Sequence, residues 1–287
     1  MSLLVNFFVK PFRDVVESIK DLVPTVVLSF AEDGMDMQSM DVNKVALVEL
    51  FIPADSFVDY QYPDEEDFPQ KDNDEVDTSR VNVALDLKSL SKILKCVKSE
   101  SECECSYNLN SDSLNMVFKN ANEQFAFELK LVDLSNNTIT IPVRENNVTM
   151  TLPSDVYQSF TKDISTLATD VIMSVCESDD DDDVQILKFN FQSDMGNGSW
   201  QVNFANGIEL HSFTSSVNQR FSIHYLQNFG KAVQNAGRAD VAMKADEPIE
   251  IVCPLPKFAE CKIMPEETDD LYPFGYLKFF LAPKIEE

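Results

Sequence analysis

LDLKSLSKILKCVK, Leu85 to Lys98, spaces Leu87, Leu90, Leu94 and Val97 three or four residues apart, the repeat of one helix face. At about 100° per residue, Lys88, Lys92 and Lys95 fall within an arc of roughly 60° on the other side. The stretch predicts a helix with an apolar inner face and a basic outer one. Three more segments repeat the design. PFRDVVESIKDL puts Phe12, Val15, Val16, Ile19 and Leu22 together, with Pro11 suited to a first turn. LPSDVYQSFTKDISTL does the same with Val156, Phe160, Ile164 and Leu167, opened by Ser154 or Asp155 as a cap. SIHYLQNFGKAVQNAG turns Leu226, Phe229 and Val233 inward and stops at Gly237.

Between the helices the period changes to two. EQFAFELKLV alternates Phe125, Phe127, Leu129 and Leu131, and SWQVNF alternates Trp200, Val202 and Phe204. Helix, strands, helix, strands is the order in each half, a duplication of plan. The expected fold is α+β: two similar domains of mostly antiparallel sheet with two helices each, over residues 1–134 and 148–287, joined by a connector at 135–147.

The chain has 287 residues, 44% of them hydrophobic, enough to bury two cores of ordinary size. With 23 Lys and Arg against 49 Asp and Glu, its formal charge of -26 repels nucleic acid and anionic membranes unless the bases are segregated. The apolar start, Leu3 to Val9, lacks the basic flank and cleavage signal of a secretory leader, and no run approaches the roughly 18 apolar residues of a membrane span. Six cysteines in such a chain read as reduced thiols. Cys103 and Cys105 share one strand face, but no second pair completes a metal site. The runs at Pro63–Thr78, Glu177–Asp183 and Glu266–Asp270 read as solvated acidic loops, and none has the ligand spacing of a calcium loop. Neither metal nor cofactor is implied. Two histidines, no nucleophile motif and no phosphate-cradling glycine loop argue against an enzyme.

The bases are segregated. Arg13 and Lys20 project from the outer face of the first helix, Lys88, Lys92 and Lys95 from the second, Lys162 from the third, and Lys231 with Arg238 from the fourth. An outward lysine on one amphipathic helix is unremarkable by itself; the same arrangement on four, with acids in the loops, makes two electrostatic faces. Scattered Lys and Arg without base-reading side chains suit loose contact with phosphates.

Six stretches, SKILKC (Ser91–Cys96), MQSMD (Met37–Asp41), GNG (Gly196–Gly198), YLQNFGKA (Tyr225–Ala232), KADEP (Lys244–Pro248) and YLKFFLAPKIE (Tyr276–Glu286), resemble the eukaryotic proliferating cell nuclear antigen family in the same order. The resemblance implies a DNA sliding clamp: a homotrimeric ring with the helices around double-stranded DNA. The lining would include Arg13, Lys20, Lys92, Lys95, Lys162 and Lys231, with Lys88 beside them. It is less positive than usual, because Asp14, Ser159, Thr166 and His224 stand where the family has bases or, at 166, a histidine. Subunits would join through Glu123–Leu131, with Phe125, Phe127 and Leu129, and Met195–Asn203, with Gly196, Asn197, Gly198 and Trp200. Interior strands would alternate in the same way.

A pocket for PIP-box peptides would comprise Met40, Leu47, Ile139, Ile141, Pro142, Pro248, Phe280, Ala282, Pro283 and Ile285, with Phe279 and Phe280 in place of the usual tyrosines. DNA polymerase, clamp loader, flap endonuclease and DNA ligase are the partners the resemblance implies, and the nucleus the location. The loop at Glu177–Val184 has no lysine for ubiquitin or SUMO. Two other readings stand beside this one: a subunit of a checkpoint-type hetero-ring, and an acidic scaffold that binds proteins without encircling DNA. Of the tail, Lys284, Glu286 and Glu287 are expected to be solvated.

Overall fold

Leu87 to Lys95 is a helix, and its first amide is received by a carbonyl from the far side of another helix in the same unit, a device repeated through the molecule. The structure, a computed structural model, describes residues 2–63, 80–109, 111–134, 138–178, 185–205, 207–260 and 271–285. Nearly all of the three acidic runs, and the connector residues 135–137, lie outside them.

Contacts divide the chain into two units. The first holds Met1–Ser39, Glu49–Ile139 and Leu255–Leu277, and the second Met40–Val48, Thr140–Pro254 and Lys278–Glu287. Met40–Val48 therefore groups with the second unit and Leu255–Leu277 with the first, and the expected connector divides after Ile139.

In chain order the first half runs β1 (Ser2–Phe8), α1 (Val9–Ile19), β2 (Thr25–Ala31), β3 (Gly34–Met40), β4 (Ala46–Pro53), β5 (Asp59–Gln61), β6 (Val81–Asp86), α2 (Leu87–Lys95), β7 (Glu102–Asn108), β8 (Ser113–Lys119) and β9 (Gln124–Lys130). The second runs β10 (Val148–Pro153), α3 (Ser154–Ser165), β11 (Asp170–Glu177), β12 (Gln185–Ser193), β13 (Gly196–Asn203), β14 (Glu209–Phe213), β15 (Val217–Ser222), α4 (Ile223–Ala236), β16 (Arg238–Met243), β17 (Ile249–Pro254) and β18 (Tyr276–Leu281).

The motif of strand, helix and three strands thus occurs four times: from β1, β6, β10 and β15. Within each unit the two copies exchange strands. The strand before one helix pairs antiparallel with the strand after the other: β1 with β7, β6 with β2, β10 with β16, β15 with β11. Even the short extra strands correspond, β5 on β1 and β14 on β10. The first unit has the order β5-β1-β7-β8-β9 and a second run of Glu49–Pro53 of β4, then β3, β2 and β6; the second has β13-β12-β11-β15 and β14-β10-β16-β17 followed by Lys278–Leu281 of β18. The fold is α+β, as the alternation of periods predicts.

The paired helices α1 with α2, and α3 with α4, cover the apolar sheet faces. Every predicted inward residue of α1 is buried, as are Leu87, Leu90 and Leu94 of α2 and Leu226, Phe229 and Val233 of α4. Stacked rings fill the second core: Phe160 on Phe189 at 4.2 Å and Phe229 on Phe279 at 4.3 Å. On α3 the predicted Phe160 and Ile164 are buried, but the two ends of the predicted stripe are not. Val156 is half-buried and Leu167 is exposed, while Tyr157 is buried and donates its hydroxyl to the Leu226 carbonyl at 2.8 Å. A tyrosine needs only that one acceptor to be an inward residue. Arg238 opens β16 rather than extending α4, which ends at Gly237 with φ +78°.

The helix starts follow one rule. The first amides of α1, α2, α3 and α4 donate to the carbonyls of Ser101, Pro24, Gly237 and Thr169, each in the segment that follows the other helix of its unit. Main chain thus replaces the side-chain cap expected at Ser154 or Asp155, and Ser154 is the first helical residue instead. Only α2 adds a side-chain cap, Asp86 accepting from the Ser89 amide at 2.7 Å. Cys103 and Cys105 are buried in β7, where burial pushes the Cys105 thiol up to about 12 and the Cys103 thiol upward as well, so both are neutral thiols.

Asp86→Ala is expected to lower stability by about 1 kcal/mol, the usual worth of an N-cap. A fall in the urea midpoint with unchanged slope would show it.

Candidate functional surfaces: helix face, sheet edges and tail

Lys88, Lys92 and Lys95 on α2, Lys162 on α3 and Lys231 on α4 are exposed. Those of α2 stand near acids. Hydrogen bonding from Ser89 holds the Asp86 carboxyl below its ordinary range, and Lys88 and Lys92 add to the effect. Lys95 pairs with Glu17 at 2.9 Å, and Glu17 also accepts from the Ser91 hydroxyl. Lys20 pairs with Asp21 at 2.6 Å and Lys10 with Asp14 at 2.7 Å. Arg13 is turned to another purpose: its guanidinium lies against the Leu94 and Val97 carbonyls at 3.4 and 3.5 Å and donates to the Ser99 hydroxyl. A cation there opposes the negative end of α2. The face is basic but partly compensated, and Arg13 is half-buried within it.

The two strands expected at subunit boundaries are both terminal in their sheets. Among the described residues β9 pairs only with β8, and β13 only with β12. Six of the seven residues of β9 are exposed, including Phe125 and Phe127 at 37% and 41%, while Leu129 is buried. Phe125 stacks on Phe118 at 5.9 Å. On β13, Trp200 is half-buried against Phe189 and Phe160, at 5.6 and 6.0 Å. Gly196 and Asn197 are exposed; Gly198 lies under Phe191, whose ring a Cβ would meet at 2.2 Å. Each edge offers an unpaired row of backbone donors and acceptors.

The tail is tied down within the second unit. The Ala282 amide donates to the Val45 carbonyl at 3.0 Å and the Lys284 amide to the Arg220 carbonyl at 2.7 Å, while Lys284 Nζ reaches Asp170 at 2.5 Å. Lys284 is exposed, as expected, yet held by these two bonds; Glu286 and Glu287 lie outside the described residues. The Ala282–Val45 bond brings Ala282 and Pro283 beside the turn that separates Met40 from Leu47. Met40 is exposed, Leu47 buried, Ala282 and Pro283 half-buried, and Ile285 almost fully exposed. Phe280 is buried at 8%, Pro248 and Ile141 are half-buried and Pro142 is exposed. Ile139 belongs to the first unit, where the Gln38 side chain accepts its amide at 2.5 Å and donates to its carbonyl at 3.0 Å.

Asp41 organises the turn beside Met40. It accepts the amides of Asn43, Val45 and Ala46 at 2.9, 2.7 and 2.7 Å, and the Tyr225 hydroxyl at 2.6 Å. Burial alone would raise its carboxyl, but these four donors outweigh it and hold the group below its ordinary value. Neither Gln38 nor Asp41 was legible as a site residue; the Asp41–Asn43 turn composition was the one available signal for the latter.

Because the folded value of Asp41 is depressed, its contribution is complete above the unfolded carboxyl pKa of about 4 and is lost as pH falls through the lower folded value. Asp41→Asn should lower the denaturation midpoint at neutral pH and flatten its fall between about pH 5 and pH 3. Parallel pH profiles of the two proteins would contradict this.

Residues 10–138 match the family model for proliferating cell nuclear antigen, N-terminal domain, and residues 140–258 match that for the C-terminal domain.

Proposed function

We propose that this chain, which belongs to the proliferating cell nuclear antigen family of DNA sliding clamps, closes with two further copies into a homotrimeric ring around duplex DNA. The family acts on DNA in replication and repair, without catalysis, as a processivity factor that binds replication and repair proteins.

The observation that carries the ring is the pair of unlike, exposed sheet edges. A closed ring of identical subunits that meet head to tail needs two different complementary patches on each. β9, with Phe125, Phe127 and Leu129, and β13, with Gly196, Asn197, Gly198 and Trp200, meet that need. Joining them would continue an antiparallel ladder and cover the exposed rings.

Inside the ring, Lys88, Lys92, Lys95, Lys162 and Lys231 face the phosphates, with Lys20 at the end of α1. Arg13 acts mainly through α2. Contacts of this kind carry no base information and are sensitive to salt, as sliding requires. Pairing with Glu17, Asp14 and Asp21 weakens that grip.

PIP-box peptides dock beside the 41–45 turn, among Met40, Leu47, Ile139, Ile141, Pro142, Pro248, Phe280, Ala282, Pro283 and Ile285. DNA polymerase, clamp loader, flap endonuclease and DNA ligase are the partners, and the nucleus the place of action.

A solution mass near three times 32.4 kDa is expected. Primer extension on a circular template with loader and polymerase should give longer products when the protein is added. A stable monomer that leaves product length unchanged would refute the clamp. Ile139→Asp combined with Pro283→Ala should abolish PIP-peptide binding while the trimer persists; normal titration of the peptide by that double variant would refute the pocket.

A further inference from the structure

The described residues of 138–147 form neither helix nor strand, and most of their side chains meet solvent: Val143 is fully exposed, and Pro142 and Glu145 are exposed. Arg144 departs from its neighbours, with a side chain only 11% exposed. Its Nη1 donates to Glu247 at 3.2 Å, and its Nη2 stands 3.6 Å from Glu250. The guanidinium carbon lies 5.9 Å from the centre of the Phe280 ring. Lys278 approaches the same ring at 5.7 Å and pairs with Glu250 at 3.2 Å, while Lys244 pairs with Glu247 at 2.6 Å. Lys244, Glu247, Arg144, Glu250 and Lys278 form a chain of five alternating charges within the second unit, of which Arg144 and Lys278 reach the ring.

The chemistry of that arrangement is specific to arginine. A guanidinium is planar and weakly hydrated, so it lies on a ring face while its edge engages two carboxylates; an ammonium offers one point of charge. A phenylalanine suits the place, since its face carries the attraction and no hydroxyl competes for the carboxylates. Arg144 Nε and Nη2 have no hydrogen-bond partner among the described residues, so Glu247, Glu250 and the ring hold the side chain in place.

We propose that Arg144 is a positioning residue for partner docking: it fixes the second-unit end of the largely exposed Thr140–Val143 stretch on Phe280 and so sets the affinity of the peptide pocket. The inference rests on the docking reading above. Gln38 holds Ile139, at the other end, by both of its main-chain groups. Thr140 to Val143 is thus tied at each end through a single side chain. Releasing one tie leaves the peptide to order that stretch as it binds, which costs affinity chiefly through faster dissociation.

The test uses full-length protein and a labelled peptide carrying the aromatic pair, read by fluorescence anisotropy, with amide exchange followed over 140–144. Arg144→Gln should weaken the peptide at least about tenfold, an energetic change of about 1.4 kcal/mol, and speed exchange there while the trimer persists. Arg144→Lys should restore only part of the affinity, since the charge returns without the fork. Glu247→Gln with Glu250→Gln, which leaves Arg144 in place, should reproduce the loss and serves if Arg144→Gln folds poorly. Wild-type affinity in Arg144→Gln alongside faster exchange, or full rescue by lysine, would overturn the positioning role alone. Failure of the wild-type protein to bind the peptide would overturn the docking reading and this proposal with it.

Discussion

The main-chain bond from each helix start to the carbonyl beyond its partner helix is the constraint on which the rest depends. A helix leaves its first amides without partners, and most proteins satisfy one with a side chain. Here Val9, Leu87, Ser154 and Ile223 each donate to a carbonyl that exists only because the other copy of the motif has folded alongside. Strand exchange imposes the same condition, since without β7 only the short β5 flanks β1, and among the described residues β6 pairs with β2 alone. One motif copy therefore cannot be stable alone, and two copies make the smallest unit. That coupling holds both helices over one sheet face, which leaves their outer sides on a common surface. A basic stripe on each helix then becomes a basic face without any residue being selected for a site as such.

The charge arithmetic follows from that geometry. A formal charge of -26 would keep the chain away from phosphate if the acids were evenly spread. Placing Lys88, Lys92, Lys95, Lys162 and Lys231 on helix surfaces leaves short-range attraction where it is needed, because screening limits the reach of distant acids to about a Debye length of 10 Å at moderate salt. Glu17, Asp14 and Asp21 are close enough to escape that screening, and each takes a lysine as a partner. Such exposed pairs add little stability. Their larger effect is to lower the positive potential of the first unit's helix face.

The helices were legible because packing and solvation impose one period on both apolar and charged residues. Where a single hydroxyl finds an acceptor inside, as in Tyr157, periodicity picks the wrong residue at that turn although Phe160 and Ile164 follow it. The caps were illegible for a related reason: a main-chain carbonyl from a distant segment leaves no mark in the local sequence. Edge status was equally hidden. Phe125 and Phe127 alternate as interior residues do, and only the sheet order shows that nothing described lies beyond β9. Arg13 reads as an outward base and also caps α2, and nothing in the sequence marks Arg144 as clasping a ring, since a side chain long enough to reach several places carries no positional signal.

The tail was the most recognisable string in the chain, and its structural role is wider than recognition required. Alternation in YLKFFL gives a final strand whose Phe279 is buried on Phe229. Beyond it, Ala282 and Lys284 stop serving the core and use their amides to join the Val45 turn to the outer strand β15. That turn is in turn fixed by Asp41 and Tyr225. A partner peptide at this place would meet a surface already ordered by backbone bonds, with Ile285 left exposed as an apolar contact. Pre-organisation of that kind turns a small apolar area into usable affinity, because the ordering cost has been met in folding. The weakest part of the same surface is 140–143, which has no strand partner among the described residues and is flanked by the side-chain ties of Gln38 and Arg144. Variation among partners is therefore best absorbed there, at the segment that can yield without loosening either core.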